Sequence, residues 1–487
     1  MKALVAGLLF ALALPALAGV VSAEQQLGYE GARHLLNRAG FGASDAEIRA
    51  FAPFSRGEAV DRLLADTRRE ATLAPPAFVA EPFTPYYRFA RLNGEELMAA
   101  VRALRREGAE LRAWWLHEML LTPSPLTERM TLFWHGHFAT AQQKVRYGQL
   151  MYRQNVLLRR EALGSFRALL HGIARDPAML VYLDNAGSRR QAPNENFARE
   201  VMELFTLGEG HYGERDVKEA ARAFTGWSLD RDSGEFVFRR LWHDGGEKTV
   251  LGRTGRFDGA AVLDLLLEQP QTAEHVTAKL WREFVSPTPD SAELRRLAAV
   301  FRAARYEVKP LMRALLTSDA FWAEGNRASL IKSPVDLVVG TMRTFGISPM
   351  DLRPAVFACA ALGQNPMSPP NVKGWPGGEV WINSTTLLGR RQWIDRVFRG
   401  ADAMSTAAAQ EPMAPREALR RTLESGMTGY GFEAERWGRG VDVGVADRAA
   451  RVTSLVLAMP PAHPVPGNAD EAAFVRALVA DPAYQLR

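Results

Sequence analysis

The chain has little cysteine to work with: Cys359 is the only one in 487 residues. That excludes an internal disulfide framework and any cysteine-rich metal knuckle. Its surroundings, "DLRPAVFACAALG", are apolar, which predicts a buried, inert thiol. Long hydrophobic runs are also scarce, and past the N-terminus none is long enough to span a bilayer. Charge of one sign is nowhere concentrated. The 60 Lys and Arg interleave with 55 Asp and Glu, leaving a net charge of +5. This is a mildly basic surface without the basic block of a nucleic-acid partner, so none is expected. Familiar nucleophile and phosphate motifs are missing too. "GWS" and "GSF" lack the flanks of a nucleophile elbow, and no Walker-type loop occurs. "VVGTMRTFG" has no strand-turn-helix unit around it, so it is not a dinucleotide fingerprint.

What is present begins with "MKALVAGLLFALALPALAGVVSAEQQ": one lysine, an apolar stretch, then small residues. That is the pattern of a secretory signal, expected over residues 1–23, with cleavage after Ala18 or, preferably, Ala23. No cysteine follows the run to carry a lipid, and no Arg-Arg pair precedes it. The expected destination is the periplasm or the medium, with no transmembrane span in the mature chain.

Helical periodicity dominates the rest. "EELMAAVRALRREGAELRAWWLHEMLLT" repeats apolar residues at three- and four-residue spacing. Pro125 opens a new helix in "SPLTERMTLFWHGHF". "NVLLRREALGSFRALLHGIARDPAMLVYLDN" reads as two runs parted near Asp176-Pro177. Asn194 is the expected N-cap and Gly208 the stop of "NENFAREVMELFTLG", and Asp216 the cap of "VKEAARAFTG". One strand signal stands out, "EFVFRRLWHDGGEKTVLG", read as a hairpin turning at Asp244-Gly245-Gly246. The expected fold is therefore all-α, a multi-helix globule with one small β-hairpin near 236–251. Residues 24–400 are the expected main domain, 401–415 ("ADAMSTAAAQEPMAP") a linker, and 416–487 a helical C-terminal appendage.

Several stretches, in order and spacing, resemble the bacterial family known as domain of unknown function 1800. They are "HLLNRAGFGAS", "ERMTLFWHGHFAT", "DPAMLVYLDN", "PNENFAREVMELFTLGEGHY", "DVKEAARAFTGW", "HDGGEKTVLG", "IKSPVDLVVG" and "NVKGWPGGEVWINSTTLLGRR". The resemblance runs from about His34 to Arg391. Gly136, where members often carry a polar residue, and Val201, where leucine is usual, are small departures. The resemblance implies a mainly helical, often exported protein without an established activity. It also implies a partner or a shared pathway more than a reaction: members are often encoded beside an exported protein of the alkaline-phosphatase or sulfatase type.

Within these blocks lie the candidate site residues. His135 and His137 are two apart, so on a regular helix they point roughly 200° apart and cannot share one ion. They chelate only if the helix ends near Gly136; otherwise His137 joins Met130, Phe133 and Trp134 in the core, bonded to a carbonyl or carboxylate. Asn196, Glu200 and Glu203 fall on one stripe of the next candidate helix, with Arg199 placed to pair with Glu203. His243 and Asp244 flank a tight turn. If these segments converge, His135, His137 and His243 are the expected ligands of a divalent metal, zinc, iron or manganese. Glu200 and Glu203 are then ligands or general bases of an enzyme acting on an envelope or extracellular polymer. The alternative is a non-catalytic binding protein that docks an exported partner. Substrate contacts are expected from Asn194 and Asn196, and from Asn371, Lys373, Trp375 and Trp381 in "PPNVKGWPGGEVWINSTT". Aromatic faces beside amide groups suit sugars or peptides.

Overall fold

The computed structural model describes residues 25–399, 430–444, 447–465 and 470–487. The expected signal segment and linker lie outside them. Helices dominate, and the local sequence says where they start. Ser44, Ser55 and Ser333 each cap a helix whose third residue, Glu47, Glu58 or Asp336, bonds back to the serine N–H. Pro125, Pro177 and Pro270 occupy first turns, where the missing N–H costs nothing. Asn194 caps helix Glu195–Met202 as expected, accepting from the Phe197 N–H at 3.3 Å. Asp216 acts differently from expectation. Its helix begins at Glu214, and Asp216 bonds back to the Gly213 N–H at 2.9 Å. The stretch read as two helices forms three, Gly148–Arg160, Phe166–Ala174 and Pro177–Tyr182, with an extra break at Gly164.

The strand reading needs a larger correction. There are two small antiparallel sheets of two strands each among the described residues. β1 (Trp227–Leu229) pairs with β2 (Phe236–Phe238), and β3 (Lys248–Val250) with β4 (Arg253–Gly255). β2 and β3 were expected to be each other's partners. Instead Asp230 organises the first turn, accepting from the Asp232 and Ser233 N–H groups at 3.0 and 2.9 Å. Leu251 and Gly252, both at positive φ, make the second. Asp244-Gly245-Gly246 is a loop clamped to helix Glu214–Ala223 by Arg222, whose Nε reaches Asp244 at 2.7 Å.

The apolar side chains form two cores. One gathers residues from Leu35 to Trp322, including Phe166, Phe197, Val201, Leu280 and Trp281. The other gathers Trp115, Met119, Val335, Val338, Val356 and Val397 with Tyr430, Leu455, Leu478 and Tyr484. The C-terminal helices Arg448–Val456 and Glu471–Ala480 are thus part of the second core, not an appendage. Leu486 bridges to Ile331, and the Tyr484 hydroxyl meets that of Thr341 at 2.8 Å. Helix Pro125–His137 serves both cores, giving Met130 and Trp134 to the first and Leu132 to the second. Among the described residues no helix is long and apolar enough to cross a membrane.

Buried charge joins the cores. Arg129, on the shared helix, donates to Asp336, to the Gly40 carbonyl and, at 3.1 Å, to Glu283. Arg487 donates to the same Glu283 at 2.8 Å and lies 3.4 Å from Asp336. Burial alone would raise the Asp336 carboxyl. Arg129 and Arg487 outweigh it and hold Asp336 well below the usual carboxylate range. A second buried pair, Glu128 with Arg159, is bidentate at 2.6 and 2.9 Å, and Trp115 Nε1–H adds a third bond at 2.9 Å.

Asp336→Asn removes the more deeply buried of the two carboxylates that Arg129 and Arg487 share, and the variant should lose about 3–5 kcal/mol of stability. Chemical denaturation at neutral pH measures this. The wild-type carboxyl is ionised in the folded chain below its unfolded value of about 3.9, so its contribution is complete above that pH and lost as pH falls further. The acid limb of the stability profile should therefore be steeper in the wild type than in Asp336→Asn.

Candidate functional site

A cleft of about 480 Å³ opens where the two cores meet. Its walls are aromatic and basic. Phe133, Trp375 and Trp381 supply the flat faces, while Arg129, Lys279, Arg282, Lys373 and Arg487 face a single carboxylate, Glu283. Arg129 and Arg487 are consumed by the buried charge cluster described above. Lys373 has only an exposed contact with Glu209 at 3.4 Å. Lys279 and Arg282 have no ion pair among the described residues. The surplus charge in the cleft is therefore positive.

The wall carrying Trp375 is held by a close backbone approach. Gly374 sits at φ +83, and a methyl group there would fall 2.2 Å from the Gly136 carbonyl oxygen. Gly374 thus lets the 371–378 loop dock on the helix at Gly136, and Gly136 does not end that helix, which runs unbroken to His137.

His135 and His137 consequently leave the helix on opposite sides. His135 enters the second core between Trp115 and Trp375, at centroid distances of 5.5 and 5.6 Å. Burial pushes it down to about 3, and its Nε2 has no partner among the described residues. His137 lies against Trp134, Phe138 and Phe205 in the first core and lines the cleft. Its Nε2 meets the Phe205 carbonyl at 3.2 Å, and its Nδ1 meets Lys279 Nζ at 3.1 Å. A carbonyl accepts, so Nε2 bears the hydrogen and Nδ1 is the lone pair that the lysine addresses. Burial, then the nearby Lys279, keeps this imidazole neutral well below its ordinary range.

The carbonyls come from an unusual helix end. Helix Glu195–Met202 continues as a π-helical turn, Glu203–Leu207, and stops at Gly208 with φ +84. The last carbonyls of a helix have no partner within it. Here Leu204 accepts from His275 Nε2 at 3.1 Å and from Lys279 Nζ at 3.2 Å, while Phe205 accepts from His137. His275 and Lys279 are four apart on helix Pro270–Phe284, so one face of that helix supplies both. Burial, then Arg282, pushes the Lys279 amine down to about 8.

The remaining expected residues are scattered. His243 donates from Nδ1 to the Thr225 carbonyl at 3.0 Å, beside Phe238. Glu203 accepts from the Tyr212 hydroxyl, and Arg199 pairs with Glu214 at 2.7 Å rather than with Glu203. Glu200 is half-buried beside Glu203, and burial followed by that like charge raises it. Asn194 is occupied as a cap, with its Nδ2 on the Leu183 carbonyl at 2.7 Å. Asn196 is exposed, and Asn371 folds its own loop by accepting from the Lys373 N–H at 2.9 Å. Among the described residues no three His, Cys, Asp or Glu side chains are placed to hold a metal ion. The expected ligands do not fit a metal because helix Pro125–His137 sends its two histidines into different cores and His243 belongs to the β-loop. Of the expected set, His137, Lys373, Trp375 and Trp381 do meet, in the cleft. Sequence reading missed Lys279, Arg282, Arg129 and Arg487. The spacing of His275, Lys279 and Arg282 in "TAEHVTAKLWREFV" was the available signal, as was an arginine at an apolar position in "TERMTLFW".

Gly374→Ala should lower stability by about 1–3 kcal/mol, since it adds both a backbone clash and left-handed strain. Gly136→Ala meets Trp375 at an ordinary 3.6 Å. It should be neutral, or stabilising by up to about 1 kcal/mol through helix propensity. Thermal melts of the two variants side by side check the asymmetry.

No curated protein and no solved structure matches the chain. One family model does, described as "Protein of unknown function (DUF1800)", over residues 34–486. That match includes the C-terminal helices that complete the second core, and Arg129 of the buried charge cluster. The chain belongs to the DUF1800 family.

Proposed function

We propose that the protein is exported and binds an acidic polysaccharide segment in the cleft between its two cores. The observation that carries this reading is the pairing of tryptophan faces with cations that have no buried counter-charge. Trp375 and Trp381 offer the apolar platform that sugar rings stack on, and Lys279, Arg282 and Lys373 face the space above it. Lys279 is half-buried, where a cation attracts a carboxylate more strongly than on an open surface, and the exposed Arg282 and Lys373 add to the positive potential of the cleft. Neutral sugars gain only the stacking. Export rests on the N-terminal sequence "MKALVAGLLFALALPALAGVVSA", and it brings the cleft into contact with extracellular polymers. A metal plays no part in this reading, because the imidazoles are engaged with carbonyls and aromatic rings. The co-encoded partner rests on family resemblance, and the cleft reading does not require it.

Calorimetric titration with oligogalacturonate, compared with an uncharged galacto-oligosaccharide of equal length, tests the proposal. The charged chain should bind, and its affinity should fall as salt rises. Arg282→Ala and Trp375→Ala should each weaken binding by roughly tenfold, about 1.4 kcal/mol. Equal affinity for charged and neutral chains, or no loss in either variant, would sink it.

A further inference from the structure

Lys279 stands apart from the other cations of the cleft. Its ammonium is half-buried, yet no carboxylate lies within ion-pair distance among the described residues. Its two hydrogen-bond partners, His137 Nδ1 at 3.1 Å and the Leu204 carbonyl at 3.2 Å, are both neutral acceptors. The charged group acting on it is cationic, Arg282 from its own helix, with the neutral imidazoles of His275 and His137 beside it, while Glu283 of the same cleft is paired with Arg129 and Arg487. A lysine used only to cap the helix end at Gly208 would have no need to open on the cleft, and His275, which also caps that end, does not line it. His137, by contrast, is fixed in one tautomer by Phe205 and presents a lone pair to the amine.

We propose that Lys279 is the reactive amine of this cleft, positioned to condense with an aldehyde or ketone carbon of a ligand seated against Trp375. The step needs no cofactor. The neutral amine's lone pair attacks the carbonyl carbon; a C–N bond forms while the C–O π pair moves onto oxygen, which takes up a proton. The carbinolamine then loses water, its nitrogen giving up its remaining proton as the C=N bond forms. Amine and carbonyl are thus converted to imine and one water, with no change in oxidation state. His137 is a positioning residue here: it accepts one N–H bond and aims the nitrogen, while the proton lost on forming the free amine goes to water in the cleft. A reducing sugar end supplies a carbonyl of the required kind when its ring opens. The inference rests on the cleft being a ligand site and not on the ligand's charge.

The test uses the full chain, a neutral probe and no variant at first. Glyceraldehyde with sodium cyanoborohydride reduces any imine to a stable secondary amine, and peptide mapping by mass spectrometry reports which lysine carries it. At neutral pH an amine at about 8 has roughly a hundredfold more free base than an ordinary lysine. Enclosure slows the probe, so Lys279 should label at least about tenfold faster than the exposed Lys218 and Lys309. Its rate should rise with pH to a half-point near 8, and His137→Gln should move that half-point or slow labelling while leaving Lys218 unchanged. Labelling of Lys279 at the rate of Lys218, or with the same pH profile, would overturn the inference. Oligogalacturonate separates the two proposals. If it binds but Lys279 does not label, the amine reading fails alone. If Lys279 labels and the acidic chain neither binds nor protects, the polysaccharide reading fails alone.

Discussion

The buried cluster of Arg129, Asp336, Glu283 and Arg487 is the constraint from which the rest of the architecture follows. It ties helix Pro125–His137 to helix Pro270–Phe284 and helix Pro334–Thr344, and so fixes how the two apolar cores meet. Each core could assemble from its own hydrophobic surface, but apolar packing is poor at specifying register between two separate clusters. Paired charges in a low-dielectric interior are specific because each misplacement strands an ion. Here the same geometry also leaves space. The cluster forms the floor of the cleft, and its two arginines are held there by acids they share.

Above that floor the cleft uses leftovers of helix geometry. A helix must end with unpaired carbonyls, and the π-helical turn at Glu203–Leu207 directs two of them at helix Pro270–Phe284. Satisfying them brings His137, His275 and Lys279 to one spot. A structural need thereby places an amine without a carboxylate at the edge of a cavity. Gly374 completes the arrangement from the other side, since only a residue without a side chain lets Trp375 approach the helix this closely.

The sequence made the helical class legible because periodicity is local. Pro125, Asn194 and Gly208 marked ends that the structure reproduces. Strand pairing was read less well. The β-prone runs were identified, but the choice of partner depended on Asp230 and on the Leu251-Gly252 turn, each competing with the better-known Asp-Gly signal at Asp244. At the site, residues from one loop were found together: Lys373, Trp375 and Trp381 all face the cleft. Residues from different segments were joined wrongly. The grouping of His135, His243 and Glu203 with His137 followed chemical compatibility, and no pattern in a single chain says that a helix passes between two cores. Lys279 and Arg487 were overlooked for the same reason, since their meaning comes from neighbours more than a hundred residues away.

The separation of Arg487 from Glu283, 204 positions along the chain, has a bearing on timing. Polypeptides emerge from synthesis in the order of their residues. The first core draws on earlier segments and is free to condense early. The cavity floor stays incomplete until the region around Ile331 and Leu486 has joined it. Completion of the cleft is thereby deferred to a late stage of folding, and a nascent intermediate carries no finished pocket.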